Sequence, residues 1–479
     1  MILRFTSALV FSVSLLGCAT LTSAYNSIAS AFTSQDGQQQ GGSSSTTTRI
    51  VVLSPGTITR EPAIVPALDN SARQVDVAGY RTWSPSDRAR NVPAAIERDA
   101  FSGTDAGMKA LVGYLVQGVT DPFLIVKNLH DWEALNVSYD VQAFFANRIP
   151  SQEPASVLQT RTAVCAGYAA LFQRLATLAG VSAVTIPGYS RGYGFSPFGT
   201  ERFKENHDWN AVKIGEAWYL LDVTWDSGYI NSSRYFREYS NNYFLLAANR
   251  MIYTHMPTDV RWQLLDRPLS HEQSLALPYL RGSFFRYAFN RFSQLPKTFT
   301  CDTEFSLLLQ HDKSVHVSAF LYDSTDRQFN RLTLTEPEPE GTRILVRPPE
   351  GGTWTLRVFA RDAQVSQYTG VWEAGVRSQE GNPDGYPLTY DTFGRLNCTL
   401  TAPLDGYLVA SHRYTFDLSI PGAVELLVQL GRSQSIVPAV EPGVFRFDYT
   451  PATSGTLDLF ERRHGETGYS GILEYQIIR

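Results

Sequence analysis

The sequence predicts an α+β protein: a helical and then strand-rich body over residues 95–275, followed by two β-sandwich modules at 283–390 and 396–479. Three observations carry this. Helical apolar periodicity recurs three times before residue 180 and then gives way to short strand-like runs. Two stretches of the carboxy-terminal third align without a gap at an offset of 101 residues. The chain has 479 residues, 43% hydrophobic and 18% charged, enough for several domains of about 150 residues each.

The amino terminus reads as a targeting segment. Residues 1–17, MILRFTSALVFSVSLLG, place one Arg before an apolar run too short to span a bilayer comfortably, the pattern of a secretory signal. The run closes on Leu15-Leu16-Gly17-Cys18, which resembles the lipobox of bacterial lipoproteins. That resemblance implies a lipid on Cys18 and a body anchored to the membrane. With the non-acidic Ala19 next, it also implies export to the cell envelope, at the outer membrane or cell surface. Cleavage after Thr22-Ser23-Ala24 is the alternative. Residues 18–50 include SQDGQQQGGSSSTTT, which has nothing to bury and reads as a flexible linker. Residues 51–94 are mixed and Pro-rich, and no role is assigned to them.

Within the body, Met108, Leu111, Val112 and Leu115 make an apolar helical face over 104–117. Asp121-Pro122 starts a second helix, with Pro at its first position. Residues 164–179, VCAGYAALFQRLATLA, form a third that Gly180 ends. Strands are expected at Val184–Tyr189, Asp208–Ile214 and Ala217–Thr224.

Cys165 opens the third helix, where unpaired N–H groups and the positive helix end favour a thiolate. The alternative is a small buried hydrophobe. A nucleophile needs a base, and the base needs an orienting group. HDWNAVKIGEAWYLLDVTW (207–225) supplies both if its two strand-like runs meet in a two-residue turn at Gly215-Glu216. Ile214 then faces Ala217 and Trp209 faces Asp222. His207 shares a face with Trp209, which makes Asp222 its diagonal neighbour, within reach of an imidazole. A one-residue slip would put the two on opposite faces.

TRTAVCAGYAALFQRLATLAGV and NHDWNAVKIGEAWYLLDVTWDSG resemble the transglutaminase-like superfamily of cysteine enzymes, in its kyphoscoliosis-peptidase-like branch. The run YFLLAANRMIYTHMPTDVRWQLL (243–265) is similar to the end of that branch's domain. The resemblance covers about 100–270 and implies a papain-like core of helices on an antiparallel sheet. It also implies that Cys165 is the nucleophile, His207 the base and Asp222 its partner. Asp208 departs from the family's pattern by standing where Ala is usual; strand alternation turns it to the other face.

The chemistry so implied is attack on a protein or peptide amide to give a thioester. Water resolves it in a peptidase or amidase, an amine in a cross-linking enzyme. The Cys165 N–H is the natural oxyanion donor; Gln159 and Trp209 are candidates for a second. Trp209, Trp225 and Tyr168 are expected at the substrate, and the Gly- and aromatic-rich loop 191–206 is expected to shape a cleft, or to be a plain surface excursion. No cofactor or metal is implied, since there is no EF-hand loop and no CxxC pair, and His311, His316, His412 and His464 are dispersed.

In the carboxy-terminal third, Thr355, Leu356, Phe359, Tyr368, Gly370 and Glu373 align with Thr456, Leu457, Phe460, Tyr469, Gly471 and Glu474. Two homologous modules follow, as spacers or as binders of a cell-envelope polymer or protein partner. The net charge of −5 argues against a general grip on nucleic acid. Cys301 and Cys398 are expected as buried free thiols, with a single bridge as the alternative. The other functional reading is a non-catalytic adhesion or scaffold lipoprotein that uses the same domains to bind protein.

Overall fold

A computed structural model of the chain describes residues 75–479 except 83, 200, 201, 288 and 290–294. The signal segment, Cys18, the linker and residues 51–74 lie outside the described residues. Among the described residues, no helix is long and apolar enough to cross a membrane.

The body begins with short helices α1 (Asp87–Arg90) and α2 (Ala94–Ala100). The first expected helix is α3 (Asp105–Val116), whose amino end is capped by Thr104 accepting the Gly107 N–H. The second is α4 (Pro122–Asn136), where Asp121 accepts the Phe123 N–H at 2.9 Å and Pro122 takes the first position. Strand β1 (Ser138–Tyr139) and helices α5 (Val141–Ala146) and α6 (Pro154–Thr160) follow. Strand β2 (Thr162–Ala163) pairs parallel with β1 and leads directly into α7 (Cys165–Leu178). Gly180 then turns the chain with φ +78.

Strands β3 (Ser182–Ser190), β4 (His207–Ile214) and β5 (Ala217–Leu221) form an antiparallel sheet, and β8 (His255–Pro257) pairs on the far side of β3. Between β5 and β8 lie α8 (Val223–Ser227) and the hairpin β6 (Gly228–Asn231) and β7 (Arg234–Arg237). The β4–β5 register is the one a two-residue turn dictates: Ile214 pairs with Ala217 and Asn210 with Leu221, and Gly215 sits at φ +60. The expected strand Ala217–Thr224 is too long. It stops at Leu221 because Asp222 caps α8, its Oδ1 accepting the Trp225 N–H at 3.1 Å.

The sheet is covered on both faces. Val212 and Leu221 pack with Leu129, Trp132, Leu171 and Leu175 of the helices. On the other face, Ile186, Trp209 and Leu220 join a core that continues through Met251 and Phe284 into the first β module at Phe299, Leu321 and Trp372. The body and that module therefore share one hydrophobic core, and burial on this scale couples them.

Both carboxy-terminal modules are sandwiches of a larger and a three-stranded sheet. The sequence repeat reappears as register. Strand Gly352–Asp362 pairs with Thr369–Ser378, opposing Val358 to Trp372 with a bulge before Phe359. Strand Gly455–Arg463 pairs with Ser470–Ile478, opposing Leu459 to Leu473 with a bulge before Phe460, so the opposed pair and the bulge are both shifted by 101 residues. Cys301 and Cys398 are both buried and free. Burial pushes both thiols up, Cys398 to about 12.

Candidate active site

Cys165 is the first residue of α7, and it is half-buried. The chain is held in place just before it: Gln152 Oε1 accepts the Val164 N–H at 2.9 Å. As the first helical residue, Cys165 has no intrahelical partner for its own N–H.

His207 and Asp222 meet. His207 Nε2 lies 2.7 Å from Asp222 Oδ2, and both side chains are buried. With Nε2 committed to Asp222, Nδ1 is the ring nitrogen left to face the nearby Cys165 sulfur. Burial opposes charge on His207, but Asp222 and then Cys165 outweigh it and push the imidazolium up to about 10. Asp222 is fully buried, which opposes its ionisation; the positive charge and hydrogen bond of His207 override this and hold the carboxyl well below the usual range. Asp208 is half-buried. Burial raises its carboxyl while His207 pulls it back, and the dominant carboxylate on His207 is Asp222.

A residue that sequence reasoning missed completes the group. His255 Nε2 lies 2.9 Å from the same Asp222 Oδ2, and its Nδ1 lies 2.8 Å from Thr254 Oγ1. Burial lowers His255 to about 4, against the pull of Asp222. A neutral His255 with a proton on Nε2 satisfies both contacts, with the Thr254 hydroxyl donating to Nδ1. Asp222 thus accepts three hydrogen bonds: Trp225 N–H on Oδ1 and two imidazoles on Oδ2. His255 lies in the run that resembles the family's domain end, but no local spacing ties it to Asp222. Only the pairing of β8 with β3, Ser190 opposite His255, brings it there.

The ligand atoms of His207, Asp222 and His255 lie within 4.8 Å of one another, a spacing a metal ion would accept. Both Nε2 atoms point at a carboxylate oxygen, which requires protons where a cation would require lone pairs. The donor set as arranged therefore fits a hydrogen-bonded cluster rather than a metal centre.

The three aromatic residues expected at the substrate divide. Trp225 is half-buried and lies 5.7 Å from the His207 ring and 4.6 Å from His255, ring to ring. Tyr168 and Trp209 are placed differently from that expectation, since both are buried. Tyr168 donates to the Val137 carbonyl at 2.7 Å. Trp209 packs 6.2 Å from His207 and 5.0 Å from His255. Each follows from the apolar face of its element, which turns to the core. Of the candidates for a second oxyanion donor, Gln159 is excluded by position, because its amide donates to the Ser102 carbonyl at 3.0 Å on the surface. Trp209 Nε1 is buried without a partner. Asp226 ties α8 inward, accepting the Tyr243 N–H at 3.1 Å and facing His130 Nε2 at 3.1 Å.

Gly188 is what lets β8 come so close. It pairs with His207 on one side and Pro257 on the other. A Cβ there would sit 2.4 Å from the Met256 carbonyl oxygen and 2.5 Å from Trp209 Cη2. Gly188→Ala is expected to cost about 1–3 kcal/mol and to loosen His255 from Asp222. Urea unfolding of the variant checks this; an unchanged midpoint would refute the close-approach argument.

Comparison with known proteins agrees with this geometry. Residues 109–223 match the family model described as the transglutaminase-like superfamily, and residues 271–389 match the KY-like immunoglobulin-like domain. Kyphoscoliosis peptidase of Mus musculus is 30% identical over 271 residues, covering 55% of this chain and 40% of that relative. Hillarin of Drosophila melanogaster is 28% identical over 233 residues, 42% of this chain and 28% of the relative. The chain thus spans well under half the length of these curated relatives. A solved structure titled as a TGase aligns at 17% identity over 33% of this chain and 40% of its own, with a TM-score of 0.21.

Proposed function

We propose that this chain is a transglutaminase-like cysteine enzyme that attacks protein or peptide amide bonds through a thioester, with hydrolysis as the principal outcome. The observation that carries the reading is the buried Asp222–His207 pair beside a half-exposed thiol at a helix start. The name of the peptidase relative favours hydrolysis over cross-linking.

In this reading Cys165 and His207 stand as a thiolate–imidazolium pair, the proton held on His207 Nδ1, and the sulfur adds to the amide carbonyl carbon. The carbonyl oxygen becomes an oxyanion, which the Cys165 N–H is placed to receive. The C–N bond then breaks, His207 gives its proton to the leaving amine, and an acyl thioester remains on Cys165. Water, deprotonated by His207, adds to that thioester; the C–S bond breaks, the carboxylic acid leaves and the thiol is restored. Asp222 keeps Nε2 protonated throughout, so that Nδ1 is the working nitrogen. His255 and the α8 amide hold Asp222 still.

Alkylation by iodoacetamide at neutral pH tests this directly. Cys165 is expected to react well over tenfold faster than an ordinary exposed thiol, located by peptide mapping against Cys165→Ala, and His207→Ala is expected to abolish the excess. Cys301 and Cys398 are buried and should stay unlabelled. If Cys165 reacts at an ordinary rate and His207→Ala changes nothing, the domain is a binding scaffold and the enzyme reading fails.

A further inference from the structure

An arc of aromatic side chains runs from the nucleophile to the base. Tyr139 lies on β1 opposite Ala163, two residues before Cys165. Burial and then the nearby Cys165 sulfur hold its phenol up. Phe144, on the short α5, meets Tyr139 edge-on at 5.9 Å and Phe145 at 5.2 Å. Tyr193, from the loop after β3, contacts Phe144 at 6.0 Å and Phe145 at 5.2 Å. The neighbouring Gly192 lies against Trp225, whose Cζ2 would be 3.2 Å from a Cβ there. Trp225 in turn lies over His207.

Two features of the arc are unexplained by packing. Phe144 and Phe145 are 36% and 42% exposed, and Ile149 beside them in sequence is 44% exposed. Scattered exposed apolar residues are ordinary, but three within six residues, bordering a reactive thiol, make a patch. The Tyr193 hydroxyl is buried and has no hydrogen-bond partner. A buried polar group left unpaired costs free energy unless something arrives to pair it. A peptide lying along the arc would cover the phenyl rings, and the Tyr193 hydroxyl would pair with its backbone once that side chain turns outward.

We propose that Tyr139, Phe144, Phe145 and Tyr193 form a subsite for an aromatic or branched apolar side chain flanking the amide that Cys165 attacks. This rests on the reading of Cys165 as the nucleophile, and it names the class of substrate: polypeptides with a bulky apolar residue at the scissile position. Gly192 and Tyr193, just after β3, thereby acquire a definite role, as one wall of the cleft.

The test compares two alkylating reagents on the full chain, iodoacetamide and N-benzyl-iodoacetamide, which share the reactive carbon and differ by a phenyl group. The ratio of their rates at Cys165 cancels the intrinsic reactivity of the thiol. Wild type is expected to favour the benzyl reagent by about tenfold relative to a small free thiol, the discrimination an apolar pocket supplies. Phe144→Ser combined with Phe145→Ser is expected to bring the ratio back to that of the free thiol. Phe145→Leu, which keeps an apolar surface, is expected to retain most of it and guards against misfolding. A wild-type ratio equal to that of the free thiol, or one unchanged in the double variant, overturns the proposal. So does a patch found buried between two copies of the chain. A failure of the catalytic reading shows instead in the iodoacetamide rate and its indifference to His207→Ala, whatever the ratio.

Discussion

Asp222→Asn is expected to lower amide turnover by about 10⁴-fold while leaving the protein folded. The carboxylate accepts from three donors, the Trp225 N–H on one oxygen and two imidazole Nε2 atoms on the other. An asparagine has one oxygen. If it faces the imidazoles, its NH₂ meets the Trp225 N–H, donor against donor, and α8 loses its cap. If it faces Trp225, its NH₂ points at His207 Nε2. His207 must then accept there and carry its proton on Nδ1, the nitrogen that should take the thiol proton. The second arrangement keeps the helix cap and costs catalysis, so the variant should fold and fail. Turnover and far-UV circular dichroism measured together check this. Turnover within tenfold of wild type would show that Asp222 does not set the His207 tautomer. The same substitution also removes the negative charge that raises His207. The pH below which His207 is charged should therefore fall, readable in its imidazole NMR signals.

The second large effect is on stability in acid. His255 is buried, and its folded-state pKa, about 4, lies below the ordinary 6.5 of histidine. The unfolded chain therefore binds the extra proton more readily. The contribution of neutral His255 is fully present above about pH 6.5 and is lost as pH falls toward about 4, by at most about 3 kcal/mol. Asp222, held below the usual carboxylate range, adds to the loss further down. His207 has the opposite sign. Its folded pKa is raised to about 10, so its contribution is whole below about pH 6.5 and is lost as pH rises through about 10. Stability from this cluster should therefore peak near pH 6.5. His255→Gln, whose amide can still donate to Asp222 but does not titrate, is expected to flatten the acid limb and spare the alkaline one. Urea unfolding between pH 4 and 7 decides it; equal acid slopes in the two proteins would remove His255 as the cause.

Much of the site was legible because its parts are local. Cys165 announces itself by opening a helix whose apolar spacing is plain. His207 and Asp222 sit in one hairpin, where a two-residue turn fixes which side chains share a face, and the observed register is the one that turn dictates. The difference at Thr224 has a local cause too: the strand-like run continues past an aspartate that caps a helix. Trp209 and Tyr168 are expected at the substrate from the resemblance, but alternation along β4 and the inner face of α7 bury them.

What stayed hidden depends on distant pairing. His255 reaches Asp222 because β8 pairs with β3, across 65 positions from His255 to Ser190, and because Gly188 leaves room between β4 and β8. Tyr193 and Phe145 meet from a loop and a helix that no periodicity relates. The sequence by itself determined the three long helices, the β3–β4–β5 order, the doubled β module and the candidate residues Cys165, His207 and Asp222, since these follow from patterns a few residues long or from direct repetition. Tertiary structure alone decided which second imidazole steadies the aspartate, which aromatic residues reach the cleft, and that the body and first module share one core. Those outcomes depend on which apolar faces come together, and short-range propensity carries no information about partners so far apart in the chain.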